Sequence, residues 1–370
     1  MAHIQKRGPG RWRARYRAPG GSERSRTFAR RVDAERWLDS VRGDLVRGTY
    51  VHPEAGRRTF GEYARGWQAA QVHRPTTAAQ VEANLRNHVF PFFGERALAD
   101  VRASEIQAWI KTRSEALSPG TVTTIYRYVA TIFRAAVADR LIAASPCIGI
   151  KLPKLARQPV EPLAVEDVEA LAAAMPDRYR ALVVLAAGTG LRQGEAFGLT
   201  VEHVDFLRRS LHVQQQLVLL PRRPPYLAPP KTAASVRTVP FPAVVVDTLA
   251  AHLASFAAGP EGFVFTNEAG EPIRRQRFSD QAWRPAVARA GLEGSPTFHD
   301  LRHFYASLLI RHGESVKVVQ ARLGHASASE TLDTYSHLWP DAEDRTRLAV
   351  DSVLGTPAAS TRPVFGSSTL

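Results

Sequence analysis

The fold of the larger part of this chain is indicated by the stretch Gly188-Thr189-Gly190-Leu191-Arg192-Gln193-Gly194-Glu195. Its Gly188 and Gly190 predict a turn, after which a helix opens with Arg192 at its start. Glu195 follows three residues later, so its carboxylate can orient the Arg192 guanidinium. A guanidinium is a planar fork of donors that can hold two oxygens of one phosphate. The stretch therefore predicts a helix start that offers an arginine to a ligand.

A second polar pair is predicted on a later helix. His299 and Arg302 are three residues apart and share one face of that helix. Thr297 with Asp300 can cap its start, and Gly313 can end it. An apolar stripe is expected on the opposite, buried side: Leu301, Phe304, Tyr305, Leu308 and Leu309. We therefore expect His299 and Arg302 to avoid the core and to point together toward another surface.

Three further side chains are placed at turns or helix ends. Lys231 lies in a Pro/Thr/Ala turn between two predicted strands, where a flexible ammonium can reach into a groove. His325 follows a helix-ending glycine and is presented at that helix end. Tyr335 belongs to a short helix that can begin at Ser327, with Glu330 completing a capping-box pattern.

These residue types suit one reaction. Breaking a phosphodiester without water or metal needs a nucleophile, cations that offset the charge on the phosphate oxygens, and an acid for the leaving oxygen. Tyr335 is the candidate nucleophile. Taken singly, each residue has an ordinary structural explanation: a lone tyrosine is most often a core residue, and a His/Arg pair is most often solvated.

In their order and spacing, the motifs resemble those of the tyrosine recombinase (phage integrase) family. The matching strings are Gly188-Thr189-Gly190-Leu191-Arg192-x-x-Glu195, Lys231-Thr232 with Arg237-Thr238-Val239-Pro240, His299-Asp300-Leu301-Arg302-His303, Leu323-Gly324-His325 and Thr334-Tyr335-Ser336-His337. Five separate motifs agree in order, which makes the resemblance specific. One departure is Gln193, where the family often has a basic residue.

The resemblance implies DNA strand exchange through a covalent intermediate. Tyr335 attacks the scissile phosphate, which gives a 3′-phosphotyrosine and frees a 5′-hydroxyl. Arg192, Arg302 and His325 hold the phosphate oxygens, Lys231 is the acid for the leaving oxygen, and His299 assists as general base or hydrogen-bond partner. No cofactor is required, neither ATP nor Mg²⁺. The implied partners are double-stranded DNA attachment sites, three further copies of the chain in a homotetramer, and an accessory directionality or DNA-bending protein.

The resemblance also concerns the residues beyond the nucleophile. Residues 341–354 are expected to form a helix that packs on a neighbouring protomer. His337 is expected either to play a structural role or to support the residues that contact the phosphate.

Composition agrees with a nucleic-acid partner. The chain has 370 residues, enough for two or three domains, and a net charge of +14 with a pI near 10.4. Its single cysteine, Cys147, excludes an internal disulfide. We expect a cytoplasmic protein without a signal peptide or membrane span, because no apolar run approaches the roughly 18 residues that a span needs.

The first 50 residues predict a small sheet backed by one helix, as in the arm-type DNA-binding domain of the longer integrases. Arginine occupies every second position from Arg11 to Arg17, so one strand face is basic and the other carries Trp12, Ala14 and Tyr16. A partner strand returns after Gly20-Gly21, and Asp33 can cap the helix. The candidate DNA contacts are Arg11, Arg13, Arg15, Arg17, Arg24 and Arg26.

The remaining chain divides into a linker at 51–58 and two further domains. Residues 59–145 predict a helical core-binding (SAM-like) DNA-binding domain. Residues 146–162 form a basic, proline-rich linker, either a plain spacer or a strap that follows DNA through Lys151, Lys154 and Arg157. Residues 163–354 predict a mixed α/β catalytic domain, and residues 355–370 a disordered tail. The fold class is mainly α with small β-sheets (α+β).

Within the helical domain, the predicted helices have definite limits. They run from Phe60 to Val72, from Thr76 to Val89, from Glu105 to Arg113 with Ser104 as the cap, and from Pro119 to Ala138. The residues Pro91-Phe92-Phe93-Gly94 are expected to break the chain. In the catalytic domain, Ser210 to Gln216 and Arg237 to Pro240 are predicted strands.

Three alternatives remain. A type IB topoisomerase-like enzyme shares the chemistry, but the arginine-rich first module disfavours it. A chromosome-dimer resolving recombinase typically lacks that module. A non-catalytic, sequence-specific DNA-binding protein would need the basic surfaces and not the intact set of Tyr335, Lys231, His299 and His325.

Overall fold

The computed structural model describes residues 3–52, 54–155, 159–339 and 343–354. The described chain is mainly helical with three small antiparallel sheets, which confirms the predicted α+β class. It divides into two compact units, Met1–Arg157 with Leu220–Arg222, and Gln158–Leu219 with Arg223–Leu370. The predicted tail and Arg157 lie outside the described residues. None of the described helices is both long and apolar enough to cross a membrane.

The first unit begins with a three-stranded sheet and a helix. The strands are β1 (His3–Gly8), β2 (Arg11–Arg17) and β3 (Glu23–Phe28), with β2 in the centre, and helix α1 is Arg31–Arg47. Ala14 and Tyr16 are buried on the side that packs with α1, where Leu38 is also buried. The alternation of arginine and apolar residues therefore predicted this strand and its buried face correctly.

The predicted cap of α1 is wrong. The helix begins two residues before Asp33, and the residue that precedes it, Arg30, makes no side-chain capping bond. Asp33 instead forms an ion pair with Arg30, 3.0 Å long. A carboxylate in the first helical turn still interacts favourably with the positive end of the helix, which explains why the position is acidic.

The rest of the first unit is a helical domain with its own apolar core around Phe60, Ile125 and Phe133. Its helices are α2 (Phe60–Ala70), α3 (Pro75–Asn84), α4 (Phe90–Phe93), α5 (Ala103–Ala116) and α6 (Pro119–Ala138). Ser118 caps α6 by accepting from the Thr121 amide, as predicted.

Two predicted features of this domain are wrong: a chain break at Pro91 and a helix cap at Ser104. Pro91 does not break the chain, because a wider π-helical turn, Leu85–Val89, precedes α4 and relieves the missing amide and the ring clash of the proline. Ser104 is not a cap but lies inside α5. The Glu105 carboxylate sets the start of that helix by accepting from the Arg102 amide, 2.9 Å away.

The second unit contains ten helices among its described residues and two small sheets. Its helices are α7 (Val165–Ala174), α8 (Asp177–Thr189), α9 (Gln193–Phe197), α10 (Ala243–Ser255), α11 (Arg275–Phe278), α12 (Arg284–Arg289), α13 (Asp300–Arg311), α14 (Val316–Leu323), α15 (Ala328–Tyr335) and α16 (Glu343–Leu354). Its strands are β4 (Val204–Asp205), β5 (Ser210–Val213), β6 (Gln216–Val218), β7 (Tyr226–Ala228) and β8 (Arg237–Pro240), paired in the orders β4-β5-β8 and β6-β7.

The single strand predicted from Ser210 to Gln216 is two strands in different sheets. The chain leaves the first sheet after Val213, and the side-chain Nε2 of Gln215 donates to the Gly198 carbonyl and the Thr200 hydroxyl. These bonds to a distant loop hold the bend, and a pattern of alternating side chains cannot reveal them.

Candidate active site

The end of α14 organises the site. Gly324 ends this helix in the left-handed conformation (φ 66°), and a Cβ there would lie 2.9 Å from the Ala234 carbonyl oxygen. The last carbonyls of a helix lack partners within it and carry the negative end of its dipole. Three consecutive carbonyls accept bonds from three arginines: Arg322 from Arg237, Leu323 from Arg302, and Gly324 from Arg192. The helix end thus gathers three guanidinium groups that are far apart in sequence.

Arg302 is the most buried of the three, with 2% of its surface exposed. One end of its guanidinium donates to the Gly190 carbonyl (2.7 Å) and the other to the Leu323 carbonyl (2.6 Å). Gly190 ends α8 with φ 65°, and a Cβ there would clash with the Tyr305 ring. The expectation that Arg302 avoids the core is therefore wrong: α13 packs against both α8 and α14, so this helix position faces protein.

The charge of Arg302 has no carboxylate partner at ion-pair distance among the described residues. Burial first, then the charges of Arg192 and Arg237, lower the pKa of Arg302 to about 9, so the guanidinium stays protonated at neutral pH. A buried cation of this kind is costly unless an anion joins it. The surroundings of Arg302 therefore favour an anionic ligand.

Arg192 is held by the contact that the sequence predicted. Its Nη1 donates to Glu195 Oε1 (3.0 Å) and to the Ser235 hydroxyl (3.2 Å), while its backbone amide donates to Glu195 Oε2 (2.9 Å). The Glu195 carboxylate also accepts from both terminal nitrogens of Arg237, at 3.2 Å and 2.9 Å. Arg192 keeps about a third of its side chain exposed, so it can still meet a ligand.

Arg237 is a site residue that lies within a matched motif but for which no role was predicted. It is buried, and it connects Glu195 to the end of α14. Its position in the matched string Arg237-Thr238-Val239-Pro240 was the signal that could have identified it.

Tyr335 ends α15 and is 1% exposed. Its hydroxyl oxygen lies 2.8 Å from Nδ1 of His303, and its ring stacks on that of His325, with centroids 6.5 Å apart and planes 9° apart. Burial raises the pKa of Tyr335 to about 12, although the nearby Arg302 charge opposes this. The phenol is therefore protonated at neutral pH and needs a proton acceptor before it can attack.

No role was predicted for His303 either, although it lies in the matched string His299-Asp300-Leu301-Arg302-His303. Its ring contacts that of His299 edge-on, with centroids 4.8 Å apart, and so joins His299 to Tyr335. The spacing of four residues from His299 was the available signal, because residues at i and i+4 share a helix face.

The histidines of the site are neutral in the free protein. Burial and the neighbouring charges of Arg302 and Arg192 lower the pKa of His325 to about 3. Burial, followed by His303 and Arg302, lowers the pKa of His299 to about 4. The permanent positive charge of the site therefore comes from its arginines, and the histidines offer a lone pair or a neutral N–H.

Lys231 lies in the loop between β7 and β8 and is exposed. Its neighbour Thr232 shares a hydrogen bond with the Ser235 hydroxyl (2.9 Å), which in turn accepts from Arg192. The loop that carries Lys231 is therefore attached to the arginine cluster. No hydrogen bond or ion pair of the described residues occupies the Lys231 ammonium, which leaves it free to reach a ligand.

The helix of Tyr335 starts as predicted. Ser327 accepts from the Glu330 amide, while the Glu330 carboxylate accepts from the amide of Ala326, one residue before the expected one. After the helix, His337 Nε2 lies 2.9 Å from the Val160 carbonyl oxygen, which agrees with a structural role.

The basic surface of the first unit is narrower than expected. The register pairs Arg24 with Tyr16 and Arg26 with Ala14, so both arginines lie on the side of the sheet that packs with α1. The opposite face carries the other four candidates: Arg11, Arg13, Arg15 and Arg17. Arg15 is engaged in an ion pair with Glu23 (2.9 Å). Lys151 and Lys154 are exposed.

Three family models match the chain. The model of the Phage integrase family covers residues 161–341, that of the phage integrase N-terminal domain covers residues 3–47, and that of the phage integrase central domain covers residues 60–151. The matched ranges account for both units.

Individual proteins agree with these models. The chain is 29% identical over 349 residues to a putative prophage phiRv2 integrase of Mycobacterium tuberculosis, covering 91% of each chain. It is 30% identical over 258 residues to tyrosine recombinase XerD of Pseudomonas aeruginosa, covering 66% of this chain and 78% of XerD. Its fold is similar to that of lambda integrase, solved as a tetramer bound to a Holliday junction, with a TM-score of 0.59, 18% identity, and coverage of 92% of this chain and 98% of the other.

Proposed function

The chain belongs to the phage integrase family of tyrosine recombinases, and from this premise we propose that it is the site-specific DNA recombinase of a phage or other mobile element. The observation that carries the proposal is the buried Arg302, which has no carboxylate at ion-pair distance among the described residues and is close enough to the buried Tyr335 to interact with it electrostatically. Phosphoryl transfer requires an anionic phosphate next to a nucleophilic oxygen, and here Arg302 would attract the phosphate while Tyr335 would supply the oxygen.

In the proposed reaction, Tyr335 attacks a scissile phosphate and displaces the 5′-oxygen, leaving a 3′-phosphotyrosine. Arg302 and Arg192 offset the charge that develops on the non-bridging oxygens, since both guanidinium groups are fixed by carbonyls before the DNA arrives. His325, neutral and stacked on Tyr335, is assigned an N–H donor role toward the phosphate. His299 is assigned a hydrogen-bonding role at the same phosphate.

Replacing Tyr335 with phenylalanine is expected to abolish covalent attachment to DNA while leaving DNA binding intact, because only the attacking oxygen is lost. The protein is incubated in EDTA with nicked fragments from the DNA that flanks its gene, and adducts are resolved on denaturing gels. A denaturation-resistant adduct with wild type and none with Tyr335→Phe is the expected result.

Two companion assays, native gel shifts on the same fragments and relaxation of a supercoiled plasmid, identify the rival functions. Wild-type protein that shifts the same DNA on native gels but forms no adduct would indicate a non-catalytic DNA-binding protein. Relaxation of supercoiled DNA by a monomer, without recombinant products, would indicate a topoisomerase-like enzyme.

We also propose that Lys231 protonates the leaving 5′-oxygen, which its exposed position and its attachment to the Arg192 cluster support. Lys231→Ala is expected to cleave native DNA about 10²-fold more slowly than wild type. On a substrate with a 5′-bridging sulfur, a good leaving group that needs no proton, the variant is expected to match wild type. Equal slowing on both substrates would reject the acid role.

The proposed domain roles follow the family. Residues 1–50 bind DNA through the face of Arg11, Arg13, Arg15 and Arg17, and residues 59–145 hold the core of the attachment site. Lys151, Lys154 and Arg157 belong to the basic linker and are candidate contacts to the DNA backbone, the alternative being that the linker is a plain spacer. Residues 163–354 perform the chemistry.

The proposed assembly is a homotetramer on two DNA duplexes in the cytoplasm, assisted by an accessory directionality or DNA-bending protein. Support for contact between protomers comes from α16, whose Leu348 and Val353 are 68% and 80% exposed. Apolar side chains presented in this way suit a neighbouring protomer.

A further inference from the structure

The Tyr335 hydroxyl has one hydrogen-bond partner among the side chains that the structure describes. That partner is His303, whose Nδ1 lies 2.8 Å from the phenolic oxygen. The two rings meet at 64° with centroids 5.6 Å apart. No hydrogen bond between the described residues joins Tyr335 to His299, for which the family resemblance implied a role as general base or hydrogen-bond partner.

Helix α13 holds one partner of this contact, and helix α15 holds the other. His303 lies in the first turn of α13, one residue after Arg302, which bonds to two helix ends. Tyr335 is the last residue of α15, and its ring is held by the stacked ring of His325. The packing that positions Arg302 and His325 therefore also sets the contact between His303 and Tyr335.

The protonation state of His303 suits an acceptor. Burial lowers the pKa of His303, Arg302 adds to this, and Asp300 opposes it. At neutral pH the ring is therefore uncharged, and with its proton on Nε2 it accepts a hydrogen bond from the Tyr335 hydroxyl at Nδ1.

We propose that His303 is the proton acceptor for the nucleophile Tyr335 and holds its hydroxyl in place for attack, an assignment that rests on the recombinase function proposed above. The phenolic proton passes to His303 Nδ1. The oxygen electron pair forms the new bond to phosphorus, and the bond from phosphorus to the 5′-oxygen breaks. That oxygen takes a proton from the Lys231 ammonium. The reaction leaves an imidazolium and an amine, and rejoining reverses both transfers.

The charged neighbours of His303 make this acceptor responsive to DNA. Its titratable and charged neighbours are His299, Asp300 and Arg302 at the start of α13, and Tyr335 at the end of α15, which Glu330 in turn influences. His325 stacks on Tyr335 from the end of α14. Arg302 disfavours an imidazolium in the free protein. A phosphate bound at Arg302 would offset that charge, so the imidazole becomes a better base when the substrate is in place.

The test measures single-turnover adduct formation by the full-length protein between about pH 5.5 and 9, the range in which an imidazole changes charge. The DNA is the fragment that yields an adduct with wild type, with a 5′-bridging sulfur so that attack by Tyr335 limits the rate. We expect the wild-type rate to be level at and above neutral pH. His303→Ala is expected to be about 10²-fold slower at neutral pH, to accelerate about tenfold per pH unit, and to recover with added imidazole.

Two further variants separate proton transfer from positioning. His303→Gln retains a hydrogen-bonding group without a base, so it is expected to be as slow as His303→Ala and to show the same pH dependence. A Gln variant as fast as wild type would reject the proton-acceptor role. His312→Ala removes an exposed histidine just after the same helix and serves as the control, with an unchanged rate expected. Thermal unfolding and native gel shifts establish that each variant folds and binds DNA.

The remaining outcomes are decisive. A His303→Ala variant within about threefold of wild type, with a level pH profile, would overturn the assignment. A faster variant would also overturn it, because it would mean that His303 restrains Tyr335. Wild-type protein that binds the DNA without ever forming an adduct would overturn the recombinase function itself, and the role of His303 with it.

Discussion

Replacing Arg302 with lysine is expected to slow adduct formation on the order of 10²- to 10³-fold while preserving the fold and DNA binding. Lysine keeps the positive charge, but its single ammonium cannot span the Gly190 and Leu323 carbonyls that the two ends of the guanidinium reach. Without this fixed fork, the cation is no longer aligned with the phosphate oxygens in the transition state. The loss should therefore appear in the cleavage rate and far less in affinity.

The measurement pairs single-turnover adduct formation with native gel shifts on the same DNA. Arg311→Lys is the matched control, since Arg311 is the exposed last residue of the same helix. A slow Arg302→Lys variant beside an unchanged control supports the role of the fork. If Arg302→Lys cleaves like wild type, charge alone suffices and the two carbonyl bonds are only structural.

The burial of Arg302 could not be predicted from the sequence. Local patterns predicted α13, its glycine stop and the shared face of His299 and Arg302. They could not show that α8 and α14 cover α13 on both sides, because those contacts join segments that are far apart in the chain. The strand split after Val213 has the same origin, since the bonds that bend the chain come from a distant loop.

The two site residues for which no role was predicted, His303 and Arg237, differ in how easily the sequence could have identified them. His303 could have been found, since it is four residues from His299 and belongs to the same string. Arg237 could be placed only by its motif, because its carboxylate partner Glu195 is 42 residues away. Helix starts with local hydrogen bonds, such as Ser118 and Ser327, were predicted well. The start of α5 was predicted wrongly, because the Glu105 carboxylate accepts from the Arg102 amide and the helix therefore begins before Ser104.

The buried carboxylate of Glu195 is expected to be the most sensitive position for the stability of the second unit. Glu195→Ala should lower the free energy of unfolding by about 3–5 kcal/mol, because Arg237 would then be a buried guanidinium without its counter-charge. Both side chains of this pair are at most 5% exposed. Arg192 would lose its orienting contact as well, so cleavage should slow in the protein that remains folded.

The pH dependence of stability provides a second readout. Burial alone would raise the pKa of the Glu195 carboxyl, but the bonds and charges of Arg237 and Arg192 outweigh it and lower the pKa below its usual value. A carboxyl with a lowered folded-state pKa stabilises the protein above its unfolded-state pKa, near 4.3, and this stabilisation disappears as the pH falls through the folded-state pKa. Glu195→Gln should therefore flatten the acid limb of the unfolding curve.

A double-mutant cycle separates the pair from its surroundings. If the ion pair carries the effect, Glu195→Ala and Arg237→Ala are each strongly destabilising, and the double variant is less destabilised than their sum, because neither charge is left alone. Asp280→Ala, which removes an exposed ion pair with Arg284 in the same unit, should change the free energy of unfolding by less than about 1 kcal/mol. Strict additivity of the two buried substitutions would mean that Glu195 and Arg237 act independently. In that case the carbonyls at the end of α14, rather than the carboxylate, hold the arginine cluster together.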